Sequence, residues 1–188
     1  MPNPTVAAGY PKALLDFAVS RGADRQLLIE RSGIRPGDLN AQDNRIPLEN
    51  YLALLKAGIE LCNEPALSLL FGEAVRLQDI SLVGLIGVAF DNVESVRRQV
   101  NRYAPLTLDA DDGGTADAVE FVRENGDVWL KSTSDIYKAN PLLTESAFAR
   151  SVRSRAVAGP PARPPADRRL YAEAARVQDR WSLAAISP

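Results

Sequence analysis

Val119-Glu120-Phe121-Val122-Arg123-Glu124-Asn125-Gly126-Asp127-Val128-Trp129-Leu130-Lys131-Ser132-Thr133 decides the fold class. Two alternating runs flank Asn125-Gly126, the dipeptide best suited to a two-residue hairpin turn because both residues tolerate positive φ. The turn sets the register: Arg123 faces Val128, Val122 faces Trp129, Phe121 faces Leu130 and Glu120 faces Lys131. Strand side chains alternate between faces, so Val119, Phe121, Val128 and Leu130 form a core face. Glu120, Val122, Trp129 and Lys131 share the other. A tryptophan beside a lysine–glutamate pair either lies under a helix or lines a cavity.

Upstream of the hairpin, Leu106-Thr107-Leu108-Asp109-Ala110 also alternates and reads as a strand. Before it the period becomes helical. Leu48, Tyr51, Leu52, Leu55, Ile59 and Cys62 form the clearest amphipathic stripe, with Pro47 suited to the first helical position. Residues 11–62 read as helical apart from the polar loop Arg35–Asn44. Gly22 stops the first segment, and Asp24 and Gly33 bound a short helix over Arg25–Ser32. Asn63-Glu64-Pro65 opens another, with Leu67, Leu70 and Phe71. Ser81–Phe90 is apolar nearly all round and reads as a buried helix whose Gly84 and Gly87 permit close backbone packing. Val93, Val96, Val100 and Tyr103 mark the next helix face, and Pro105 stops it. Downstream of the hairpin, Pro141 precedes an amphipathic segment over Leu142–Val157. The predicted class is α+β: an N-terminal helical bundle followed by a small antiparallel sheet and a C-terminal helix.

Gly159-Pro160-Pro161-Ala162-Arg163-Pro164-Pro165 then breaks the pattern, since clustered prolines fit neither a helix nor a central strand. The chain divides into a domain over 1–158 and a Pro/Arg/Ala-rich tail over 159–188, expected to be disordered or aberrant and to add little stability.

Composition removes several function classes. The 188 residues contain no histidine and one cysteine, which excludes histidine-based triads, a tetrahedral zinc site and an internal disulfide. The lone Cys62 on an apolar stripe reads as a small core residue in a protein of the reducing cytoplasm. A net charge of −2 argues against direct nucleic-acid binding. The longest apolar stretch, Leu82–Phe90, is too short to span a bilayer, so no membrane association is expected. No phosphate loop, dinucleotide fingerprint or nucleophile elbow is present, so neither a cofactor nor enzyme activity is expected.

Several stretches, in order, resemble one family. They are Ser32-Gly33-Ile34, then Arg45-Ile46-Pro47-Leu48-Glu49-Asn50-Tyr51-Leu52-Ala53-Leu54-Leu55, then Glu64-Pro65-Ala66-Leu67-Ser68-Leu69-Leu70-Phe71-Gly72. Ser81-Leu82-Val83-Gly84-Leu85-Ile86-Gly87-Val88-Ala89-Phe90 follows, with Val93-Glu94-Ser95-Val96 and Tyr103. From about residue 10 to about residue 155 the chain resembles the N-terminal arabinose-binding-like effector domain of AraC-type transcription regulators. The resemblance implies an α+β domain that senses a small organic molecule and often helps dimerisation, with a homodimer or a heterodimer with a related regulator as the expected assemblies. It also implies that the helix-turn-helix region is missing and the domain truncated, since alanine, arginine and proline follow Val157 where more strand-forming sequence is expected.

Polar-tipped and aromatic residues near the helix–sheet junction give a candidate ligand site of Tyr51, Phe90, Tyr103, Trp129 and Lys131. Two rival features carry less. Asp109–Glu120 nearly follows a calcium-loop pattern, but Gly113 stands where an oxygen ligand is needed and the flanks read as strands, so a solvated turn is preferred and no metal is expected. Arg97, Arg98 and Arg102 suit an anionic effector, yet they fall opposite the valine stripe, as a solvated helix face would. The alternative function is a protein-interaction or dimerisation module that modulates a full-length regulator.

Overall fold

The computed structural model describes residues 3–81, 102–103, 106, 108–109, 119–124, 127–132 and 135–158. In chain order they form β1 (Thr5–Ala7), α1 (Gly9–Ser20), α2 (Arg25–Ser32), a 3-10 turn (Pro36–Leu39), β2 (Arg45–Pro47), α3 (Leu48–Cys62), α4 (Leu67–Ala74) and α5 (Leu77–Ile80). β3 (Leu108–Asp109), β4 (Val119–Glu124), β5 (Asp127–Ser132), α6 (Asp135–Ala139) and α7 (Pro141–Ala158) follow. The architecture is α+β, as the sequence predicts.

The caps explain where helices begin and end. Asp24 is extended and its carboxylate accepts the Leu27 N–H at 2.9 Å, which satisfies one of the donors a helix start leaves open. Gly33 closes α2 at φ 67°, a left-handed conformation in which glycine avoids a Cβ clash. Asn63 does the same for α3 at φ 48°. Pro47 is the last residue of β2, and α3 starts one residue later than the proline placement predicted, at Leu48.

α3 is the central helix, packed against α1, α2, α4 and α7. That explains a shift in its buried face. Leu48, Tyr51 and Leu55 are buried as expected, but Leu54, Ala57 and Gly58 join them, while Leu52, Ile59 and Cys62 are only partly covered. A helix surrounded on several sides buries more than one stripe. α4 meets α7 most closely at Gly72, where an added methyl would collide with the Ser146 carbonyl oxygen and come within 2.8 Å of Ala149 Cβ. One turn earlier on α4, the Ser68 hydroxyl donates to the Leu142 carbonyl.

β2 interrupts the region over 11–62 expected to be helix and loop, and β1 precedes it. β1 is the middle strand of an antiparallel sheet ordered β2-β1-β3, with Val6 opposite both Ile46 and Leu108. Val6 and Ile46 are buried, so the sheet joins the helical core. Arg45 secures its edge: Nε donates to Thr5 Oγ1 at 3.0 Å, Nη2 to the Thr5 carbonyl at 3.0 Å and Nη1 to the Leu106 carbonyl at 2.9 Å. β3 falls within the strand predicted over Leu106–Ala110. β4 and β5 form a separate two-stranded antiparallel sheet in the register dictated by Asn125-Gly126, from Arg123 opposite Val128 to Glu120 opposite Lys131.

The apolar segment Leu82–Phe90, the valine face over 93–100 and the tail over 159–188 lie outside the described residues. So does the acidic loop between Asp109 and Val119.

Candidate functional site

Tyr51 is 1% exposed, and its hydroxyl has no hydrogen-bond partner among the described residues. Buried tyrosine hydroxyls ordinarily find a partner, which makes this the sharpest polar anomaly of the core. Burial pushes the phenol far above its ordinary range. Arg150 opposes that shift, while Tyr10 and Tyr137 add to it. Tyr137 is shifted upward by the same burial. Both phenols are therefore neutral at physiological pH.

Arg150 reaches this place because α7 turns Leu143, Ser146, Ala149 and Arg150 inward. Its Nη1 donates to Ser146 Oγ at 2.6 Å, and its guanidinium carbon lies 5.5 Å from the centroid of the Tyr10 ring, where the ring quadrupole attracts a cation. Thr144 Oγ1 donates to the Tyr137 and Asn140 carbonyls and fixes the α6–α7 corner that brings Tyr137 in. The result is a cluster of two buried phenols, the partly buried Tyr137 and one buried cation between α1, α3, α6 and α7.

A second feature lies further along α1, toward its C-terminal end. Ala13, Phe17, Phe71, Ala74 and Val75 line a cleft of about 220 Å³, with Arg76 and Asp79 completing it. Phe17 and Phe71 meet at a centroid distance of 5.7 Å with planes 54° apart, and the Arg21 guanidinium stands 4.7 Å from the Phe17 centroid. Arg76 and Asp79 form a forked ion pair, Nε to Oδ2 at 2.7 Å and Nη2 to Oδ1 at 3.2 Å, with both side chains exposed.

Of the five residues expected to line a ligand site, the structure gives a defined polar surrounding to Tyr51. Tyr103 is half-buried with the Arg102 guanidinium 5.6 Å from its ring centroid. Trp129 and Lys131 occupy alternate positions of β5, opposite Val122 and Glu120. Phe90 lies outside the described residues, as do Arg97 and Arg98. Arg150, Tyr10, Tyr137 and the Phe17–Phe71 cleft were not anticipated. The signal for Arg150 was its place seven residues after Leu143 on the inward stripe of an amphipathic helix, where a solvated arginine is out of phase.

Cys62 is half-buried, with Sγ donating to the Ala18 carbonyl at 3.5 Å. Burial pushes its thiol up, the opposite of what an activated thiolate needs. Among the described residues no group of three or more acidic or cysteine side chains converges as a metal site would require.

Residues 22–178 match the family described as the arabinose-binding domain of AraC transcription regulator, N-terminal. The chain belongs to this family. Its members are effector domains of transcription regulators, not a known family of enzymes. A curated relative, the ornithine utilization regulator of Pseudomonas aeruginosa, is 26% identical over 145 residues, 77% of this chain. The chain spans 40% of that regulator's length. Among the described residues no helix is long and apolar enough to cross a membrane.

Proposed function

We propose that this chain senses a small organic effector and passes the bound state to an AraC-type transcription switch. The family match over residues 22–178 carries this reading. The name of the Pseudomonas relative points to amino-acid metabolism, so amino acids including ornithine head the candidate effectors. These 188 residues, with a net charge of −2, respond to the effector without themselves gripping duplex DNA. The domain works in the cytoplasm and pairs with a second copy or a related regulator. A single half-buried thiol and a fold held by its core suit that reducing compartment.

The test is a thermal-shift and calorimetric screen of the full chain against amino acids, organic acids, sugars and fatty acids. A true effector at a hundredfold its Kd adds about 2.7 kcal/mol of stability. For a chain of this size that raises Tm by roughly 5–10 °C. A screen in which no compound raises Tm overturns the sensor reading. Sedimentation with and without the hit measures the pairing, and an unchanged monomer in both removes the dimer from the proposal.

A further inference from the structure

We propose that the cleft between α1 and the α4–α5 junction binds a small amphipathic zwitterion, an α-amino acid with an apolar side chain, its carboxylate on Arg76 and its ammonium on Asp79. The inference rests on the effector-sensing reading and adds to it a place and a ligand class.

Size comes first. A cleft of about 220 Å³, open to solvent on one side, has room for a single aliphatic amino acid. Its lining is divided between apolar side chains and the Arg76–Asp79 pair. Phe17 and Phe71 supply two tilted rings, and Ala13, Ala74 and Val75 leave room beside them. The stack of Arg21 on Phe17 holds the first ring in place. A hydrocarbon side chain is therefore favoured inside.

Charge then selects the head group. Arg76 and Asp79, three residues apart, present a cation and an anion side by side at the mouth. Both are exposed, and an exposed ion pair contributes little net stability, so opening it costs little. A zwitterion entering between them gives each side chain a new counter-charge and leaves none unmet. A monocarboxylate satisfies Arg76 but sets its own negative charge beside Asp79. A monoamine has the mirror-image problem with Arg76. The pair thus favours ligands carrying both charges on adjacent atoms and disfavours ligands carrying one.

The test uses norleucine, hexanoic acid and pentylamine, which share the hydrocarbon chain and differ in head group. Calorimetry on the full chain should show norleucine bound at least tenfold tighter than either analogue. Arg76→Gln should weaken norleucine about tenfold and erase its advantage over pentylamine. Asp79→Asn should erase its advantage over hexanoic acid. Equal binding of hexanoic acid and norleucine to the parent chain overturns the inference. So does norleucine affinity unchanged by both variants, or abolished by Trp129→Ala while both variants retain it. A screen in which sugars or other acids bind and norleucine does not removes the cleft assignment and leaves the sensor reading standing. A screen with no hit at all removes both.

Discussion

The polar groups around Tyr51 and those around Arg76 obey opposite rules. Tyr51 and Arg150 are sealed between helices, 1% and 7% exposed, whereas the Arg76–Asp79 pair stands in water. Enclosure makes every polar group answerable for its partners, because an unmet hydrogen bond in the core costs its full desolvation. It also makes volume count, since packed interiors tolerate little change. Exposure reverses both conditions. A charge in water loses little when its partner changes. The sealed cluster therefore helps choose how α1, α3, α6 and α7 come together. The open pair is free to trade its internal partner for an external one.

The comparison breaks most visibly where α4 and α7 press together. Gly72→Val places two methyls and a Cβ where the Ser146 carbonyl and Ala149 already sit. Backbone cannot move aside as a flexible side chain does, so the cost lies at the upper end of overpacking, about 3 kcal/mol. For a chain of this size that lowers Tm by roughly 6–12 °C. Chemical denaturation gives the value directly. A loss below 1 kcal/mol would show that α4 and α7 are not rigidly apposed.

How much of this was legible in the sequence depends on the range of the interaction. The β4–β5 register followed from Asn125-Gly126 and alternation because both are local. Asp24 and Gly33 bounded α2 for the same reason. β1 and β2 were not legible. Thr5–Ala7 and Arg45–Pro47 are too short to show a period, and they become strands only because distant segments pair. The burial of Tyr51 was legible because it lies on a strong apolar stripe. Arg150 was missed because arginine reads as solvated unless the neighbouring helices are known. Arg76 and Asp79 are close in sequence, but the apolar wall beside them comes from Phe17 on α1.

Asp24 tests whether every exposed polar group is as dispensable as the open pair. Its carboxylate caps α2, and replacing such a cap by alanine costs about 1 kcal/mol. Asp24→Ala should thus lower stability by that amount even though the side chain lies at the surface. Asp24→Ser, which can still accept from Leu27, should recover most of it. Equal losses in the two variants would mean that the capping bond is not the cause.

Tyr51→Phe sharpens the sealed side. It removes a hydroxyl with no partner among the described residues and keeps the ring. Relieving an unmet buried donor gains between zero and about 1 kcal/mol. Stabilisation, read by urea denaturation, supports an orphan hydroxyl. Destabilisation by 1 kcal/mol or more would reveal a bound water or another partner serving Tyr51.

The smallest effect is expected at the open pair. Asp79→Asn breaks the forked contact with Arg76, and both side chains remain in water before and after. The lost attraction is offset by hydration of the freed guanidinium, so stability should change by less than about 0.5 kcal/mol. Whatever difference exists should shrink further as salt is raised, because exposed charges are screened over roughly 8–10 Å at ordinary ionic strength. The measurement is paired denaturation of Asp79→Asn and the parent chain at low and high salt. A loss above 1 kcal/mol that persists in high salt would place Asp79 among the structural groups, with Tyr51 and Arg150. The cleft mouth would then be a braced corner of the fold, its ion pair committed to holding α5 in place.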